Sequence, residues 1–183
     1  MRRNPAPAEL EPVEVFCNTA TLLHGEDDLA RPETAGGWLR AHGYPEAVSP
    51  AELAALAEAR ETVRAFLVER SSPEALDALN RLIRSVAGAP VVRPDGTFAL
   101  RPVGGDEPAA GIVRTVLEAL LRDGLTGRHA TRLKACAAPE CRWVFYDRAP
   151  SSNGLWCDMA VCGARHKMRA YRARTGAAAG KNA

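Results

Sequence analysis

The chain has 183 residues and a mass of 19.6 kDa, with 46% hydrophobic, 25% charged and 5% aromatic residues, which suits one domain with a small appendage and a real core. No apolar run reaches the ~18–20 residues that cross a bilayer, and the two arginines near the N-terminus have no hydrophobic stretch behind them. Neither a membrane anchor nor a secretory signal is expected, and the expected location is cytoplasmic. The net charge of +2 divides unevenly: residues 1–127 hold 13 Lys/Arg against 19 Asp/Glu, residues 128–183 hold 11 against 3, so the C-terminal part is suited to a polyanion.

Residues 1–12, rich in Pro and Glu, read as a flexible arm. Residues 13–24 are apolar but too short for periodicity to separate helix from strand. After a polar stretch, residues 33–42 suit a short helix carrying Trp38 and Leu39 inward and ended by Gly43. Ser49-Pro50-Ala51-Glu52 supplies an N-cap, a Pro at the first helical position and the Glu of a capping box, and Leu53, Leu56, Val63 and Leu67 then recur at helical spacing. Ser72-Pro73 starts another helix, with Leu76, Leu79, Ile83 and Val86 as its stripe. Two β-prone runs around Pro94-Asp95-Gly96 predict a hairpin, because Asp and Gly accept turn dihedrals at little cost. Residues 107–122 read as a third clearly marked helix, after the two Ser-Pro helices, with a stop expected at Gly124.

Two polar residues interrupt these apolar stripes. Arg60 falls between Leu56 and Val63, and Asn80 between Leu76 and Ile83. Either both lie at a stripe's edge, with Arg60 reaching for water, or they share a polar pocket between consecutive helices that a small-molecule effector could enter.

The most informative pattern is Cys136-x4-Cys141, fifteen residues, then Cys157-x4-Cys162. Four thiolates in two pairs suit one tetrahedral Zn²⁺, which favours soft sulfur ligands, and four protein ligands close the shell in the manner of a structural site. A catalytic metal, an iron–sulfur cluster and disulfides are the alternatives. Cys17, distant in sequence, reads as a small buried hydrophobe. Between the pairs, β-prone residues 142–147, a turn-rich stretch and Leu155-Trp156 predict a hairpin inside the finger. From Cys162 to Arg174 the pattern is helical, giving a treble-clef-like arrangement. Val161, Ala164, Met168 and Tyr171 share one face and should pack on the hairpin with Trp143 and Trp156. Arg165, Arg169 and Arg172 form a neighbouring stripe, flanked by His166, Lys167 and Arg174. Such a stripe fits a phosphate backbone; the competing reading is a solvated basic face in which Lys134, Arg142 and Arg165 offset the charge of the metal centre.

The run from Cys136 to Arg174 resembles the CGNR zinc finger of bacterial proteins through Trp143-Val144-Phe145-Tyr146-Asp147, Trp156-Cys157-Asp158-Met159 and Cys162-Gly163-Ala164-Arg165. It departs from that pattern at Gly154 and Leu155, where the family has an Arg pair, at Asp158 (Ser) and at Ala164 (Asn). The front of the chain is similar to the ABATE domain of stress-induced transcription regulators, through Asn18-Thr19, Trp38-Leu39, Arg60 and Leu79-Asn80. The resemblance implies a regulator that binds DNA through its finger.

The expected fold is α+β, mainly α: a flexible arm (1–12), a helical ABATE-like domain with one hairpin (13–130), a Cys₄ finger (131–175) and a disordered tail (176–183). The expected cofactor is one structural Zn²⁺ on Cys136, Cys141, Cys157 and Cys162. The expected partner is DNA, held by Arg165, His166, Lys167, Arg169, Arg172 and Arg174. A ligand-sensing or protein-interaction module with a purely structural finger is the alternative. No enzyme is expected, since His24, His42, His129 and His166 are scattered and no triad, P-loop or dinucleotide loop is present.

Overall fold

A computed structural model describes residues 5–46, 48–103, 107–127 and 131–179. Six helices and three two-stranded antiparallel sheets occur among them: α1 (Glu11–Cys17), β1 (Ala20–Thr21), β2 (Glu26–Asp27), α2 (Pro32–Ala41), α3 (Pro50–Val68), α4 (Pro73–Val86), β3 (Ala87–Val92), β4 (Phe98–Pro102), α5 (Pro108–Thr126), β5 (Leu133–Ala135), β6 (Val144–Tyr146) and α6 (Ala164–Ala179). A π-helical turn, Met159–Gly163, leads into α6. No described helix is long and apolar enough to cross a membrane.

The described part of the N-terminal arm is packed. Ala6 and Leu10 are buried in the core, and the Ala6 N–H donates to the buried Glu14 carboxylate at 2.6 Å. That bond satisfies a backbone donor which would otherwise keep the segment in water. The ambiguous apolar run divides into α1 and β1, and α1 buries Val13, Phe16 and Cys17 against α3 and α5. Burial among apolar neighbours pushes the Cys17 thiol up to about 12, consistent with an inert small hydrophobe.

Helix α3 has the complete capping box: Ser49 accepts from the Glu52 N–H, and the Glu52 carboxylate accepts from the Ser49 N–H. It buries Leu53, Leu56, Val63 and Leu67 as its spacing predicts. Helix α4, capped by Ser72, lies on the outside of α3 and α5; it buries Leu79 and leaves Leu76 exposed. Helix α5 runs through Gly124, where an expected stop is absent, and ends where Gly127 takes the left-handed conformation (φ 62°) and donates its N–H to the Asp123 carbonyl. A left-handed residue breaks the helical ladder; a glycine with ordinary helical dihedrals merely costs a little. Strand β3 starts at Ala87, directly off the last turn of α4, four residues before the first β-prone residue.

The third sheet corrects the expected finger hairpin. Strand β6 pairs with β5, which precedes Cys136, through Leu133↔Tyr146 and Ala135↔Val144, and not with Leu155-Trp156. Leu133 (1% exposed) and Val144 (0%) belong to the same cluster as Val13, Phe16, Leu56 and Val63, so the finger's sheet is part of the main core. Asn18 fixes this junction with both ends of its side-chain amide: Nδ2 donates to the Val144 carbonyl (2.8 Å) and Oδ1 accepts the Val144 N–H (2.9 Å). The amide thereby acts as one extra residue of β-sheet. Arg70, just beyond the end of α3, adds a bond to the Leu133 carbonyl at 2.8 Å. The tail expected to be disordered is helical in backbone to Ala179; residues 180–183, His129 and the boundary near 130 lie outside the described residues.

Candidate metal centre

The first cysteine pair sits on a tight knuckle. The Cys136 N–H donates to the Trp143 carbonyl (2.8 Å), the Cys141 and Arg142 N–H groups both donate to the Ala138 carbonyl, and Arg142 takes a left-handed φ of 47°. The second pair straddles the π-helical turn. Asp158 caps it, its Oδ1 accepting from the Ala160 (2.8 Å) and Val161 (3.1 Å) N–H groups, while the Cys162 N–H donates to the Asp158 carbonyl. Cys136, Cys141 and Cys162 are buried and Cys157 is half-buried; Trp143 and Trp156 pack round the group.

The four Sγ atoms all lie within 4.8 Å of one another, with Cys141–Cys157 at 3.5 Å and Cys157–Cys162 at 3.8 Å. Disulfides are thereby corrected out of the reading, since bonded sulfurs sit about 2.05 Å apart. Four sulfurs about 2.3 Å from a tetrahedral ion stand roughly 3.8 Å from one another, so the quartet fits a single Zn²⁺. Its proton chemistry points the same way. Hydrogen bonds from Cys141 and Cys157 pull the Cys136 thiol down, contacts with Cys136 and Cys141 raise Cys157, and burial raises Cys162. Zinc binds cysteine as thiolate, so an ion at the centre supplies the positive charge that a close cluster of sulfurs needs.

Asp147, 5% exposed, ties the loop between the pairs to β5. Its carboxylate takes the Lys134 ammonium (2.8 Å), the Gly154 N–H (2.7 Å) and the Ala149 N–H (3.0 Å). Burial works to raise this carboxyl, but the Lys134 hydrogen bond and the two N–H groups outweigh it and hold it below the usual carboxylate range. Lys134 is therefore occupied by Asp147. A Cβ at position 154 would lie 2.9 Å from Asp147 Oδ2, so a larger residue there would have to displace that carboxylate. D147A should destabilise the zinc-loaded chain by about 2–3 kcal/mol in denaturant titration, because the half-buried ammonium and two N–H groups lose their acceptor. An unchanged midpoint would show that water replaces the carboxylate.

A model for the ABATE family, described as "Putative stress-induced transcription regulator", matches residues 10–127. The chain belongs to the ABATE family. A second model, the CGNR zinc finger, matches residues 132–175 and covers all four metal-ligating cysteines. No curated protein matches the chain.

Two of the ABATE residues that recur in this chain, Thr19 and Arg60, meet at one ion pair. Arg60, 4% exposed, forks onto Asp27 of β2 with Nη1–Oδ1 2.7 Å and Nη2–Oδ2 2.8 Å, and also donates to Thr19 Oγ1 and Glu61. One turn on, Arg64 is 1% exposed; its Nη2 donates to the Cys17 and Ala20 carbonyls, and burial holds its guanidinium below its usual range. The proposed Arg60–Asn80 pocket is overturned: Asn80 is exposed on α4, and the Arg60 guanidinium is satisfied by Asp27, Thr19 and Glu61. Arg64 escaped the sequence reading, although its i+4 spacing from Arg60 on an apolar face was the available signal.

The structure separates the six expected nucleic-acid residues. Arg165, Lys167, Arg172 and Arg174 are exposed on α6 and make no ion pair among the described residues. Arg169 pairs with Glu140 of the first knuckle, and the His166 ring leans on Trp156 with centroids 4.8 Å apart. These two contacts anchor the helix to the finger. The expected apolar face does not pack on the hairpin: Val161 of the π-helical turn and Met168 and Tyr171 of α6 are 38%, 53% and 57% exposed.

Proposed function

We propose that the protein regulates transcription by binding DNA through α6, with the zinc centre and the Glu140–Arg169 pair setting the angle at which the helix leaves the finger. The observation that carries this reading is the helix itself. Ala164–Ala179 holds five Lys/Arg and no acidic residue, and four of those cations are exposed and outside any described ion pair. Offsetting the metal centre would involve at most Arg165 among these four. Met168 and Tyr171, exposed beside the cations, add apolar contacts of the kind that meet thymine methyls in a major groove. The acidic departure from the CGNR pattern does not oppose this, because the Asp158 carboxylate is spent on capping the turn.

Burial of Leu133 and Val144 in the main core favours a second reading, in which the finger only completes the fold. Salt separates the two. With four phosphate contacts, log K should fall with log[salt] at a slope of about −3.6, and R165Q/R172Q should remove about two units of slope while leaving the metal content unchanged. R169Q, whose guanidinium is already paired, should change the slope by less than about one unit. Absence of binding at low salt, or a slope unmoved by R165Q/R172Q, would leave the structural reading standing.

A further inference from the structure

The three most exposed large apolar side chains among the described residues are Leu125 (80%), Phe98 (75%) and Val92 (62%), and they belong to one surface. Val92 and Phe98 are cross-strand partners in the β3–β4 hairpin, so their side chains lie on the same face, as do those of the next alternate pair, Pro90 and Leu100. Leu121 (43% exposed) and Leu125 stand one turn apart on α5. Between the hairpin and the helix runs a groove of about 210 Å³, lined by Pro90, Phe98, Leu100, Leu121 and Leu125. The four exposed side chains Val92, Phe98, Leu121 and Leu125 present on the order of 500 Å² of apolar surface, at the upper end of what a monomer carries without use for it.

We infer that this face is the dimer interface of the protein, its occupant the same face of a second copy. Three features select that occupant. Strand addition is weakened on both edges, because Pro90 of β3 has no N–H to offer and the Leu100 N–H of β4 is already taken by Glu118 at 3.0 Å, which favours packing by side chains. The polar groups flanking the groove carry both signs, Glu118 and Arg122, as a surface that must match itself requires. The apolar patch of about 500 Å² supplies more than half of the ~800 Å² per partner of a stable interface. A fourth argument rests on the DNA-binding reading: one short helix with four free cations binds weakly, and a two-fold pair of fingers converts the second contact into an intramolecular one. Pairing through α6 instead would set its five cations against those of its copy.

Sedimentation of the zinc-loaded full chain at micromolar concentration tests the proposal. Wild type should run at twice the 19.6 kDa chain mass. F98E/L125E should run at chain mass with unchanged metal content and circular dichroism. L125E alone, altering a side chain already in water, cannot unfold the domain and should weaken dimerisation by at least about tenfold. M168S/Y171S on α6 should remain dimeric. A monomeric wild type, a dimer that survives L125E undiminished, or a dimer lost in M168S/Y171S would overturn the assignment. A dimer that binds no DNA would overturn the DNA reading and leave this one intact.

Discussion

Replacing Cys136 by Ser should empty the metal site and lower the melting temperature of the whole chain, not of the finger alone. The finger has little core of its own: Cys136, Ala138, Cys141 and Cys162 are buried, with Trp143, Trp156 and Cys157 packed around them. So small a cluster depends on its metal, whose apparent binding free energy in such peptides is about 10–16 kcal/mol. Loss does not stop at the knuckle. The Cys136 N–H bonds the Trp143 carbonyl, the β5–β6 ladder continues from there, and that ladder carries Leu133 and Val144 into the core beneath α1 and α3. Freeing it also releases the Asn18 clamp and the Arg70 bond. Elemental analysis and thermal unfolding check this together: C136S should hold less than about a tenth of the wild-type metal and melt well below it, as should wild type treated with a strong chelator. A variant that melts with wild type would mean that the finger and the helical domain fold independently.

The second large effect is an asymmetry at the Arg60–Asp27 pair. D27A leaves a guanidinium that is 4% exposed without its bidentate partner and should cost about 3–5 kcal/mol. R60M removes the charge and keeps the volume; Asp27, whose side chain is 30% exposed, can hydrate, so the cost should be well under half of that. The pH dependence follows from the same contact. Burial acts to raise the Asp27 carboxyl, but the Arg60 hydrogen bonds and charge and the Leu29 N–H hold it below its ordinary value of 3.8. A carboxyl lowered by folding stabilises fully above its unfolded value, and that stability is lost as pH falls through the lowered one. The gap between wild type and D27A should therefore stay constant from neutral pH to about 5 and close below about 4. Urea titrations of both proteins at each pH measure it, and the comparison cancels the metal both lose in acid. Equal losses in D27A and R60M would mean that water reaches Arg60.

The elements legible in the sequence are those whose signals are local. Ser49-Pro50 and Ser72-Pro73 start α3 and α4, Asp95 accepts the Thr97 N–H in the expected hairpin turn, and the paired cysteines converge as their spacing required. The misread features depend on partners far along the chain. Arg60 is answered by Asp27, 33 residues earlier, across a polar loop with no periodicity to place it. The arm from Pro5 packs because Glu14 takes the Ala6 N–H, a bond that composition cannot show. Strand β6 finds its partner before the first cysteine because the Cys136–Trp143 bond sets the register outward from the knuckle. Periodicity marks Met168 and Tyr171 of α6 as apolar positions, but a helical face is buried only if something lies opposite it, and both side chains are exposed.

The centre on which all of this turns is one metal ion held by four sulfurs, and X-ray absorption at the zinc edge of the purified full chain tests it most directly. The structure predicts one zinc per chain with a shell of four sulfurs at about 2.3 Å and no light-atom ligand. A shell of three sulfurs with one nitrogen or oxygen, or a chain purified in zinc that carries none, would contradict it.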